Sequence, residues 1–157
     1  GGKLMSIFLG GTGSANELHD YEVGDYTVTL SGNNGNYSLH GGADRIRYIK
    51  VGKLVSLFGR ILITAHNNVN GTPRINLPFA TPSANEQSGL GQFSVYWHKW
   101  NMPSDGMGTS SLEFGNSSSV AYFLYYRDNQ SWAGLTDLRD NLGDIYVTIQ
   151  GTYMAAS

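Results

Sequence analysis

Cysteine is absent from this chain of 157 residues. That excludes disulfides, thiolate nucleophiles and Cys-based zinc sites together. Charge is scarce as well: 14% of residues are charged and the formal net charge is -2. No basic field is available to draw in nucleic acid. No apolar run approaches the roughly 20 residues that a membrane helix needs. The apolar stretch Met5 to Leu9 is too short for the core of a signal peptide.

Enzyme signatures are missing too. His19, His40, His66 and His98 lack metal-ligand spacing. There is no Gly-x-Ser-x-Gly elbow and no P-loop, and Gly10 to Gly13 lacks the strand–turn–helix context of a nucleotide motif. Asp137, Asp140 and Asp144 cluster around a short helical pattern, where solvated carboxylates are ordinary. A glycosidase needs two carboxylates about 5–10 Å apart, and a calcium loop needs EF-hand spacing; neither is marked here. The expectation is a non-enzyme with no catalytic residue, no metal and no cofactor.

What the chain has is glycine (21), tyrosine (10) and alternating apolar strands. That composition fits an all-β domain with many turns. Residues 1–16 read as a Gly/Ser/Asn linker or the end of an upstream shaft, and 17–157 as one domain. Gly1, Gly2 and Lys3 read as an excision point, with the natural chain extending upstream. In Asp25 to Leu30, Tyr26, Val28 and Leu30 are expected to face in. Ser31 to Asn36 reads as a loop. Arg45 to Lys50, a turn at Val51 to Lys53, and a strand from Leu54 to Ala65 form a hairpin.

In that long strand Val55, Leu57, Gly59, Ile61, Ile63 and Ala65 share one face, predicted to be core. The opposite face (Leu54, Ser56, Phe58, Arg60, Leu62, Thr64) is half apolar, more than water alone requires. Asn67 to Thr72 and Thr81 to Gly91 read as polar loops. Pro78 should end a strand, with Phe79 pinned in the core. Further strands are expected at Gln92–Trp100, Ser111–Phe114, Val120–Arg127 and Asp144–Tyr153, with Phe93, Val95, Trp97, Ile145, Val147 and Ile149 inward. Leu135 to Leu142 is the one helical candidate, ended by Gly143. The sum is a jelly-roll-like antiparallel β-sandwich of about eight strands with one short helix. Val120 to Tyr126 is apolar on both faces, so one is expected to face the core and the other to meet a neighbouring subunit or lie under a loop.

Four segments, in this order, resemble a recurrent phage domain: Arg47 to Val55, Gly59 to Ile61, Asn76 to Phe79, and Ile149 to Tyr153. The hairpin, the Leu-Pro-Phe step and the closing Gly-x-Tyr strand are similar to those of domains at the distal end of bacteriophage tail fibres and tailspikes. The resemblance covers residues 25–153. It implies a trimeric β-sandwich tip of the virion that binds host cell-surface polysaccharide or helps the fibre trimerise. It carries over no site residue by position; from charge and hydropathy, no nucleic acid and no membrane insertion are expected. Tyr153 is expected at the edge of the domain.

Glycan chemistry therefore has to be sought in the residues themselves. Sugars stack their C–H faces on aromatic rings, and their hydroxyls bond to amides, carboxylates and guanidinium groups. Trp97 shares a face with Phe93 and Val95 and reads as core. Trp100 lies past the strand end, beside the loop from Asn101 to Ser110. Arg127 to Trp132 combines polar groups with a tryptophan. The predicted glycan-binding set is Trp100, Asn101, Asp128, Asn129 and Trp132.

Overall fold

The computed structural model describes residues 7–8, 17–18, 21–83, 92–98, 110–115, 117–125, 133–134 and 144–156. Their regular structure is all strand. In chain order the strands are β1 (Ile7–Phe8), β2 (Glu17–Leu18), β3 (Tyr21–Thr27), β4 (Leu30–Ser31), β5 (Asn34–Leu39), β6 (Arg45–Val51) and β7 (Leu54–Asn70). Then come β8 (Arg74–Asn76), β9 (Gln92–His98), β10 (Ser110–Phe114), β11 (Val120–Tyr125), β12 (Ala133–Gly134) and β13 (Ile145–Met154). β1 and β2 pair as a separate two-stranded sheet.

The predicted jelly-roll sandwich is corrected to a closed antiparallel barrel. Its ring runs β7-β13-β9-β10-β11-β8-β4-β5 and returns to β7. Closure comes from the length of β7, whose 17 residues bond on both edges. On one edge Leu54 to Ile63 pair with Met154 to Ile145 of β13. On the other edge Leu54 to Phe58 pair with β6, and Ile63 to Asn70 pair with β5. The antiparallel pair of β3 and β6 extends the sheet beyond the ring as a wing, and β12 adds to β11. The helical candidate Leu135 to Leu142 lies outside the described residues.

β5 and β6 lie end to end along one edge of β7. Between them residues 40–44 step out of the ladder and back. The step is held at Leu62, whose N–H donates to the Ala43 carbonyl (2.9 Å) and whose carbonyl accepts the His40 N–H (3.0 Å). The reversal from β6 into β7 uses Gly52 at φ +58°, a conformation that costs glycine nothing.

The expected loops at Ser31–Asn36 and Asn67–Thr72 are shorter than the sequence pattern implied. β5 begins at Asn34, and β7 continues to Asn70 before Gly71 turns the chain. Polar side chains there are exposed on a strand that is paired through its backbone, so they carried no inward pattern. Ala65 is exposed too, because the β5–β7 register slips between Ser38↔Ala65 and Leu39↔Ile63.

Alternation elsewhere predicts the core well. Val28, Leu30, Val55, Leu57, Ile61, Ile63, Phe93, Ile145, Val147 and Ile149 are all buried. Phe93, Phe114 and Tyr153 form an aromatic cluster with ring centroids 5.0–6.1 Å apart. Trp97 packs against Phe123 at 5.1 Å. Tyr153, expected at the edge, is fully buried, while Phe79, expected in the core, is half-buried beneath Tyr48 and Lys50. β8 ends before Leu77-Pro78-Phe79, as the proline requires. In β11, Phe123 and Leu124 point to opposite faces and are both buried within the single chain, so Leu124 needs no neighbouring subunit.

Candidate functional site

The predicted glycan set Trp100, Asn101, Asp128, Asn129 and Trp132 lies outside the described residues, as do Asp137 and Asp140. The strand ends around those segments are described. Tyr146, near the start of β13, pairs with His98 at the end of β9. Ser110, at the start of β10, pairs with Tyr125 at the end of β11. The chain therefore leaves and re-enters the barrel at one end for residues 99–109 and 126–143.

At that same end an aromatic and polar platform forms on the outward face of β9, β13 and β7. Registration places side chains in three rows: His98, Tyr146 and Leu62; Tyr96, Thr148 and Arg60; Ser94, Gln150 and Phe58. With strands about 4.8 Å apart and i, i+2 positions about 6.8 Å apart, the nine positions span roughly 10 by 14 Å. That is the footprint of one or two sugar rings. Tyr96 is 66% exposed, and Phe58 39%. The Arg60 guanidinium carbon sits 4.9 Å from the Tyr146 ring centroid. The His98 ring lies 6.1 Å from Tyr146 on the other side.

The chemistry follows from these groups. Tyr96 offers a free apolar face ending in a hydroxyl, and Gln150, Thr148, Ser94 and His98 offer hydrogen-bonding groups beside it. A guanidinium stacked on an aromatic ring keeps its N–H edges free for ligands. Each residue was already assigned outward by alternation within its own strand. What the sequence does not show is that β7, β13 and β9 are neighbours. Tryptophans in loops stand out in the sequence as candidate sugar contacts, whereas a tyrosine on the outward face of a strand does not.

A second surface lies further along the same sheet face, towards the wing. Its rows are Tyr21, Val51, Leu54 and Met154, then Val23, Ile49, Ser56 and Thr152. Val23 is 50% exposed and Leu54 45%. β3 forms the rim of this face, and its described pairing is with β6 alone. The Arg47 guanidinium bonds Asp25 (3.0 and 3.4 Å) and holds that carboxyl below its usual range. On the inner side of the wing Tyr48 donates to Glu22, which with partial burial pushes the phenol up to about 12. Among the described residues, no three His, Asp or Glu side chains come together as a metal site.

No protein-family model matches the sequence, and no curated protein does. Among solved structures, the chain is similar to the Dettilon tailspike protein, with a TM-score of 0.67 and 14% identity. The similarity covers 87% of this chain and 24% of that one. The chain thus spans about a quarter of the tailspike's length, and what the two share is a fold.

Proposed function

We propose that this chain is the receptor-binding tip of a phage tail fibre or tailspike. It recognises host cell-surface polysaccharide as a homotrimer on the virion and carries out no catalysis. The observation behind this reading is the platform of Tyr96, Tyr146 and Arg60 at the barrel end from which the Trp100 and Trp132 segments depart. Binding residues usually lie on loops carried by a rigid scaffold, and a β-barrel supplies one. The fold shared with a tailspike supports the setting. The mechanism is weak binding at each site multiplied by display on three subunits and several fibres. Trp100 and Trp132 stack on sugar rings, while Asn101, Asp128 and Asn129 bond to hydroxyls.

The experiment is binding of the purified domain to host cells and to a glycan array. Trp100→Ala, Trp132→Ala and Tyr96→Ala are expected to fold, and at least one should abolish cell binding. Hydrolysis of host polysaccharide by the isolated domain would overturn the non-catalytic reading. The exposed rows of Val23, Leu54 and Phe58 favour a second reading, an accessory domain that trimerises a tailspike depolymerase. Full cell binding by all three variants, alongside a stable trimer, would favour it.

A further inference from the structure

We infer that the saccharide taken by the β7–β13–β9 platform is acidic, with its carboxylate held by Arg60; this rests on the glycan reading above. Arg60 is exposed, yet it is not a loosely solvated charge. Its guanidinium carbon lies over the Tyr146 ring, 4.9 Å from the centroid, a cation–π contact that restrains the side chain on the platform. Among the described residues no carboxylate forms an ion pair with Arg60. Asp144, the next outward position beyond Tyr146, makes no ion pair with it. The other eight platform positions carry no acid.

A cation held beside an exposed aromatic face suits an acidic sugar, and we take its acid to be a carboxylate on a pyranose. The sugar ring stacks on Tyr96, and its hydroxyls reach Thr148 and Gln150, the cross-strand neighbours of Tyr96 and Phe58. The carboxylate then meets Arg60 two strands away, in the two-pronged geometry that arginine favours. A neutral sugar could still accept hydrogen bonds from that guanidinium, but it would leave the charge uncompensated.

The test compares uronic-acid oligosaccharides with the same oligosaccharides after reduction of their carboxylates to alcohols. Binding is measured by calorimetry on the full chain at low and high salt. The acidic form is expected to bind about tenfold or more tightly, with the advantage shrinking in salt. Arg60→Gln, which keeps the stem and a donor, should erase the advantage, bringing the acidic form down to about the affinity of the reduced one. Tyr96→Ala should weaken both forms, and melting curves should show both variants folded. Equal binding of acidic and reduced forms, or an acidic preference that survives Arg60→Gln, overturns the acidic assignment while leaving glycan recognition standing. Failure of every saccharide to bind removes the glycan reading and this inference with it.

Discussion

The Tyr153 hydroxyl satisfies both backbone groups of Phe79: it donates to the carbonyl at 2.9 Å and accepts the N–H at 3.2 Å. The two residues are 74 positions apart, and the contact ties the Leu77-Pro78-Phe79 step to the closing strand. Tyr153→Phe should leave the ring cluster intact but orphan both groups, costing about 1–3 kcal/mol. Urea denaturation measures it; a loss under about 0.5 kcal/mol would mean that water replaces the hydroxyl.

Ile61 is fully buried, on the inward face of β7 opposite Val147. Ile61→Ala should cost about 2–5 kcal/mol. Phe58, on the other face, should tolerate Ala far better, and a reversed order would put the strand inside out.

Gly32 closes the turn from β4 to β5 against the end of β7. A Cβ there would fall 2.3 Å from the Asn70 carbonyl oxygen and 2.6 Å from Val69. The backbone itself must move, so Gly32→Ala is expected to lose about 1–3 kcal/mol. Gly41, where a Cβ meets nothing within 4 Å, is the control, and Gly41→Ala should leave the melting temperature unchanged.

Stability should fall at alkaline pH. Tyr48 is pushed from 10.0 to about 12 by its bond to Glu22 and by burial. Burial also raises Tyr26 and Tyr153. A raised value means that the folded state holds the proton more tightly. The contribution is therefore complete below about pH 10 and is lost as pH climbs towards 12. Melting temperatures from pH 8 to 12 should drop in that window, and Tyr48→Phe should flatten part of the drop. A curve level through pH 12 would contradict the assignment.

The subunit contact is expected on the wing's outward face. Leu54→Asp places a carboxylate beside Val51 and Met154, in the apolar rows that also hold Ile49 and Val23. Burying it unpaired in an interface costs several kcal/mol, so sedimentation should show a trimer dissociating at micromolar concentration. A wild-type monomer under those conditions would end the trimer proposal.

Much of this barrel is legible in its sequence because each long strand alternates cleanly. Tyr26, Val28 and Leu30, or Ile145, Val147 and Ile149, name their own inward face. What alternation leaves open is which strand stands beside which. Sheet order depends on both edges of β7 being used, and an edge carries backbone groups rather than side chains. The predicted sandwich and the overlooked platform share that cause. Tyr96, Tyr146 and Arg60 belong to three distant segments and become a surface only when β13 lies between β9 and β7. In the polar stretch Asn67 to Asn70, Val69 alone turns into the core, so the strand leaves too little hydrophobic alternation to read. Tyr153 was placed at the rim because a polar hydroxyl near a strand end reads as wet, whereas the Phe79 backbone meets its needs inside.

The position of β13 also governs the order of assembly. Residues 145–154 are the slat between β7 and β9, so until they arrive the barrel is an open sheet. A nascent or truncated chain ending before residue 145 presents two long unpaired edges, the kind of template that recruits strands from other chains. Closure joins segments nearly a hundred residues apart (Leu54 with Met154), a contact order that predicts slow folding. Expression of fragments lacking this strand should yield aggregates, and a synthetic peptide of residues 145–154 supplied in trans should rescue them by filling the gap.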